Sequence, residues 1–317
     1  MIFLKRFNMT WFERLTGMTE TEFKKDESNN FINFYEKYKD KCGQLIVKSI
    51  FEIKNQIVFK LTEIPEIKIL DENIVEIQKT IPNCTVLIAS NFDALEHRSE
   101  MSKLSDYNFI TNYVFDHTQG PIASMCAPYA TIFRAFNPIK INMLEKCKMY
   151  SVVNGYASIN EKYLLSSHPT IVATDDFTAV IHQNVAICDD LYKFQVVNYV
   201  DQVFVSAINV KQRDTGKLNY QLGLKYPNLI KYVICSGYHA AYLAAILNKR
   251  ENLILTLIGG GVFGNSIKLI LDELLRMHNH FKTIGFGNIK NIYINVYKAS
   301  MKTKKYVQNR LCEFNTN

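Results

Sequence analysis

Gly259-Gly260-Gly261-Val262-Phe263-Gly264-Asn265 lies between an apolar, strand-like run, Leu253 to Ile258, and an amphipathic helix pattern that begins near Ser266. These residues hold four of the chain's 13 glycines. A glycine-rich turn joining a buried strand to a helix lets backbone N–H groups approach an anion closely, and the helix N-terminus adds partial positive charge. Phosphate is usually held in this way. The competing reading is a tight strand-to-helix turn that needs positive φ and binds nothing. A large apolar side chain such as Phe263 is costly in water, so it either covers a ligand or plugs the turn onto the core.

Working outward, Ile267, Ile270, Leu271, Leu274 and Leu275 recur at helical spacing, and Asn291 to Val296 reads as a further strand. Strand, loop, helix and strand in this order form a βαβ unit, which normally gives a parallel pair. Upstream, Leu229 to Leu247 reads as a long helix apolar on most faces, packed between layers. Thr85 to Ser90 is a continuous apolar run of the kind found in strands buried on both faces. The fold class is therefore α/β, with strands also expected at Thr170 to Ala173, Ala179 to His182, Phe194 to Val200 and Gln202 to Val210. Two β-rich runs, Leu45 to Ile53 and Ile57 to Leu61, suggest a hairpin. A short helix is expected over Asp71 to Thr80, and one from Pro121 to Phe136 in which Pro128 implies a kink or a late start. Lys211 to Leu222 is polar and loop-like. Three segments result: an N-terminal helical extension over 1–43, an α/β domain over 44–300, and a basic tail over 301–317.

With 317 residues and 48% hydrophobic content, the chain can bury a sizeable core. Seven scattered cysteines without a Cys-x-x-Cys pair read as reduced thiols, which points to a cytoplasmic or nuclear protein. Lys5 and Arg6 interrupt any N-terminal signal core, no run reaches the roughly 18 apolar residues of a membrane span, and no membrane partner is expected. The net charge of +7 is compatible with an anionic partner. Its local excess at Lys298, Lys302, Lys304, Lys305 and Arg310 reads as a solvated terminal helix, and no interleaved basic and aromatic surface points to nucleic acid.

Ligands of open α/β sheets gather beyond the carboxyl ends of the strands, which selects two more segments. In Ser90-Asn91-Phe92-Asp93-Ala94-Leu95-Glu96, Asn91 can meet a ribose hydroxyl or base edge, while Asp93 and Glu96 can act as acid or base. The alternative is a turn asparagine with solvated carboxylates. In Asp116-His117-Thr118-Gln119-Gly120-Pro121, Thr118, Gln119 and Gly120 form a second anion cradle or simply cap a helix. Two anion-friendly loops and a polar strand end suit a ligand with two phosphates and a ribose. His278 and His280 lie two apart and point to different sides of a helix; Asp175-Asp176 and Asp189-Asp190 read as solvated acids, so neither metal nor cofactor is expected. The glycine loop lacks the Lys-Ser/Thr of a nucleoside triphosphate loop and the context of a dinucleotide fingerprint.

These residues resemble a family. The strand followed by Gly259-Gly260-Gly261-Val262-Phe263-Gly264 is similar to the second phosphate loop of macrodomains, and Asn91 looks like the asparagine that macrodomains place near the distal ribose. The segments from Ser90 to Glu96, Thr118 to Pro121, Asn154 to Tyr156 and Gly259 to Asn265 more closely resemble uncharacterised eukaryotic macrodomain-like proteins. The likeness to the poly(ADP-ribose) glycohydrolase branch is distant, because the glycohydrolase signature of a Gly-Gly-Gly loop followed by Gln-Glu-Glu is missing. The resemblance implies a three-layer α/β/α sandwich with a central mixed sheet, binding ADP-ribose or an ADP-ribosylated protein. It implies that Gly259, Gly260, Gly261, Val262, Phe263, Gly264 and Asn265 hold the diphosphate, Asn91 the distal ribose, and Thr118 to Gly120 the opposite side. If ADP-ribose is hydrolysed from proteins, Glu96 is the first candidate acid or base and Asp116 the second. Two other readings stay open: a macrodomain-derived interaction scaffold that binds no nucleotide, and an unrelated Rossmann-like nucleotide enzyme.

Overall fold

The computed structural model describes residues 9–166, 174–211 and 215–316; the expected strand at 170–173 lies outside them. Three helices open the chain: α1 (Trp11–Thr16), α2 (Glu20–Lys25) and α3 (Glu27–Cys42). Thr10 with Glu13, and Thr19 with Glu22, form reciprocal capping boxes that start α1 and α2 by satisfying free N–H groups. Strand β1 (Gln44–Ser49) runs directly into α4 (Ile50–Lys54). The expected hairpin is absent because Ser49 and Glu52 form a third capping box, which turns the apolar run helical. After β2 (Ile67–Leu70) and α5 (Ile74–Thr80) comes β3 (Cys84–Ala89), and then α6 (Gln119–Met125) and α7 (Pro128–Phe136). The single helix expected over residues 121–136 is thus two, parted at Ala127 (φ −118°, ψ 64°), with Pro128 in the first turn of the second.

A small hairpin, β4 (Tyr150–Val153) and β5 (Tyr156–Ile159), is followed by α8 (Glu161–Ser166), β6 (Thr178–Cys188), β7 (Val196–Val205) and α9 (Thr215–Lys225). The long helix α10 (Pro227–Leu247), β8 (Asn252–Thr256), α11 (Ile267–Ile284), β9 (Asn291–Asn295) and α12 (Met301–Thr316) complete the chain. Helix α9 replaces an expected loop. Its polar composition is misleading because Asn219 is fully buried, donating to the carbonyls of Ala157 and Asn209 and accepting from the Ile159 N–H. The expected terminal helix spans Met301–Thr316, with Val307 and Leu311 buried and Arg310 paired with Asp272.

One seven-stranded sheet has the order β1-β6-β7-β3-β8-β9-β2. Strands β7, β3, β8, β9 and β2 are parallel, whereas β6 runs antiparallel to both β7 and the edge strand β1. The expected βαβ unit is β8-α11-β9, and its strands pair in parallel. Helices α4, α9, α10 and α11 pack together on one face, and α3, α5, α6 and α7 on the other, giving a three-layer α/β/α sandwich with a mixed sheet. Helix α10 is long and apolar enough to cross a membrane, yet 94% of that stretch is buried inside the protein, as expected of a central core helix. A second apolar cluster joins Trp11, Phe12, Phe23 and Phe34 of the N-terminal helices to Ile132, Phe133 and Phe136 of α7.

Candidate functional site

Because β3, β7 and β8 are parallel, the loops that follow them emerge at one edge of the sheet. Strand β3 pairs with β7 over Thr85 to Ala89 but with β8 only over Cys84 to Val86. Beyond Val86 the two neighbours part, and the Gln119 side chain takes the missing strand's place. Its Oε1 accepts from the Ala89 N–H at 2.7 Å, and its Nε2 donates to the Leu87 carbonyl at 3.2 Å. Gln119 therefore wedges the crevice open, and its amide is taken up by β3 instead of facing a ligand. A Cβ at Gly120 would lie 2.1 Å from the Ala89 carbonyl and 2.4 Å from Glu96 Oε2, so only glycine fits there.

The glycine loop is closed by its own backbone. The N–H of Gly260 donates to Leu257, that of Gly264 to Gly261, and that of Asn265 to Gly259. Gly259 and Gly264 have φ of +71°, the left-handed region that favours glycine. A Cβ at Gly260 would press on Ile267 Cδ1 at 2.7 Å. Gly261 differs: it is exposed, its φ is not positive, and a Cβ there would meet nothing within 4 Å. Among the described residues, the N–H groups of Gly261, Val262 and Phe263 are not used in closing the loop. Asn265 is buried and donates to the Ile208 and Gly259 carbonyls, which ties this loop to the end of β7. Val262 is 60% exposed, while Phe263 is half-buried and its carbonyl accepts from the Val210 N–H.

Contacts carry the edge from one loop to the next. The rings of Phe263 and Tyr156 lie 5.9 Å apart. Tyr156 stands against Asn91 and donates its hydroxyl to the His97 carbonyl. The Asn154-Gly155 turn presses onto the same loop, with the Phe92 N–H bonded to the Gly155 carbonyl. Asn91 is buried, and its side-chain oxygen accepts from the His97 N–H at 2.8 Å. His97 directs Nε2 at Asp93 (2.7 Å) and Nδ1 at the Ser102 carbonyl (2.9 Å). Both partners are acceptors, which calls for the doubly protonated ring.

Glu96 lies behind Gly120 and is buried. Burial drives its carboxyl well above the usual carboxylate range, Asp93 and Asp116 add to the rise, and Arg134 and Ser90 oppose it. The Ser90 hydroxyl donates to the Leu95 carbonyl, which leaves its oxygen free to accept from a protonated Glu96. Arg134, brought down to about 10 by burial, donates to the Ala94 carbonyl and the Ser124 hydroxyl and stacks on Phe204. The Tyr113 hydroxyl accepts from the Glu96 N–H. Glu96 thus borders an interior network, with its Oε1 buried. Asp116 uses one carboxylate oxygen to hold the Thr118 N–H and hydroxyl, so Thr118 stands at the start of α6 with its side chain turned back. A cavity of about 250 Å³ beside α6 runs from Tyr113 and Asp116 to Cys126 and Cys188, and the glycine loop does not line it.

Asn91, Gly120, the Asn154 to Tyr156 segment and the glycine loop were legible as candidates in the sequence. Tyr113 and Arg134 were not, because their contacts are made 17 and 40 residues along the chain, and His97 was not, although its partners Asn91, Asp93 and Ser102 are local. No protein-family model and no curated protein sequence matches the chain. It is similar in fold to macrodomains and poly(ADP-ribose) glycohydrolases. The poly(ADP-ribose) glycohydrolase of Thermomonospora curvata shares 14% identity at a TM-score of 0.49, with 84% of this chain and 85% of that one covered. The glycohydrolase of Deinococcus radiodurans, in complex with ADP-ribose, shares 12% at 0.46 over 85% and 94%. The Trypanosoma brucei macrodomain, in complex with ADP, shares 9% at 0.39 over 77% and 68%. At these values the likeness is one of architecture and assigns no residue and no reaction.

Proposed function

We propose that the protein binds ADP-ribose, free or attached to a protein, or a closely related nucleotide diphosphate, at the edge formed by the loops after β3, β7 and β8. One observation carries the reading. Of the four glycines in the loop, Gly261 alone is required neither by backbone conformation nor by packing, and it presents an N–H that the loop leaves open. Close approach of a ligand gives a reason for glycine at that place. The adjoining N-terminus of the 18-residue helix α11 adds favourable charge for a diphosphate. Asn91, held by His97 and Tyr156, stands at the ribose end.

The reading is of binding, since Glu96 is buried behind Gly120 and one oxygen of Asp116 is taken by Thr118. In a thermal-shift titration, ADP-ribose at about 100 times its dissociation constant adds about 2.7 kcal/mol of stability. Gly261→Glu should abolish that shift while unfolding like the wild type without ligand, since its side chain enters open space. No shift with millimolar ADP-ribose, AMP or NAD defeats the proposal, and an undiminished shift in Gly261→Glu moves the site away from this loop.

A further inference from the structure

The site is electrostatically lopsided. On the Asn91 side carboxylates surround the protonated Glu96 and the Tyr156 hydroxyl: Asp93 and Asp116 raise Glu96, and Glu100 and Asp116 raise Tyr156. His97 is paired with Asp93, and Arg134 is buried against the Ala94 carbonyl and Ser124, so neither presents its charge to a ligand. A diphosphate carries two negative charges and is repelled by that wall, so its charge must be met at the other end of the edge. There, in the loop after β7, Lys211 runs along the glycine loop: a Cβ at Gly264 would lie 3.1 Å from Lys211 Cγ. Asn209 fixes the Lys211 backbone by accepting its N–H at 3.1 Å, and the Lys211 carbonyl packs against Gly216 at the start of α9. The stem is thus anchored against the loop while the side chain is exposed, and no ion pair engages its ammonium among the described residues.

We propose that Lys211 is the cationic partner of the ligand's diphosphate and, with the acidic wall opposite, sets the direction in which the ligand lies. This rests on the binding reading above. The phosphates sit between Lys211 and the N–H groups of Gly261 to Phe263, and the uncharged sugar points toward Asn91. A charge-assisted contact of this kind contributes about tenfold in affinity.

The test compares wild type, Lys211→Ala, Lys211→Arg and Lys211→Glu by calorimetric titration with ADP-ribose at low and high salt. The expected result is about tenfold weaker binding for Lys211→Ala, a larger loss for Lys211→Glu, and retention within a few fold for Lys211→Arg. Affinity should also depend less steeply on salt in Lys211→Ala than in the wild type. If the wild type binds ADP-ribose and Lys211→Glu binds it equally well, the assignment of Lys211 is overturned and the binding reading stands. An equal loss in Lys211→Ala and Lys211→Arg, with an unchanged salt dependence, also overturns it, because only the shape of the loop has then changed. A wild type that binds no ADP-ribose sinks both.

Discussion

At the residue scale, the informative side chains are those whose partners come from elsewhere in the chain. Asn91 is legible as a polar residue at a strand end, but its orientation comes from His97 and Tyr156. His97 itself makes a testable statement about pH. Burial works against its charge, yet the bond and charge of Asp93 and the Ser102 carbonyl outweigh it, so its folded-state value lies above the ordinary 6.5. A raised histidine contributes stability that is fully present below the unfolded value and is lost as pH rises through the folded one. On the alkaline side of pH 6.5 the wild type should therefore lose thermal stability faster than His97→Gln, which keeps a donor but does not titrate. Parallel profiles for the two proteins would remove the ion pair from the account. Arg134 could not have been found from sequence, because its target, the Ala94 carbonyl at 2.7 Å, is 40 residues away.

Helices and strands were legible wherever their own side chains set the pattern. The β8, glycine loop, α11 and β9 series follows from apolar spacing alone, and so does the burial of β3. The element starts had a signal in the chain, and the one at Ser49 was missed: Thr10 with Glu13, Thr19 with Glu22, and Ser49 with Glu52 each fit the capping-box spacing. The N-terminal helices do more than cover α7. Glu20, 1% exposed, accepts from the N–H groups of Ile110 (3.2 Å) and Thr111 (2.8 Å) and pairs with Lys24 at 2.7 Å. The Trp11 indole donates to the Thr111 carbonyl. That segment carries Tyr113, which holds the Glu96 backbone, so the extension supports the site from behind. Glu20→Ala strands two buried donors and should cost about 2 to 4 kcal/mol in urea unfolding. A change below about 0.5 kcal/mol would mean that α2 is not anchored there.

For the whole molecule, burial of neutral histidines sets the behaviour in acid. His182, His239 and His278 are each brought down to about 3, chiefly by burial, so the folded protein cannot take protons that the unfolded chain accepts near 6.5. Glu96 and His97 act in the opposite direction, since both are raised and keep a proton in the folded state, but His280 is lowered as well, so two groups stand against four. The urea midpoint should therefore fall between pH 7 and pH 5, and an equal or higher midpoint at pH 5 would contradict the burial of these rings. The sequence by itself determined the α/β class, the parallel β8-β9 pair and the glycine loop, because hydrophobic period and backbone freedom are properties of neighbouring residues. Only the tertiary structure decided which candidates face the crevice. The parting of β3 from β8 made Gln119 a wedge, enclosure behind Gly120 took Glu96 out of reach, and packing left Gly261 as the one loop glycine with nothing of its own to require it, because burial and hydrogen bonding depend on residues distant in sequence.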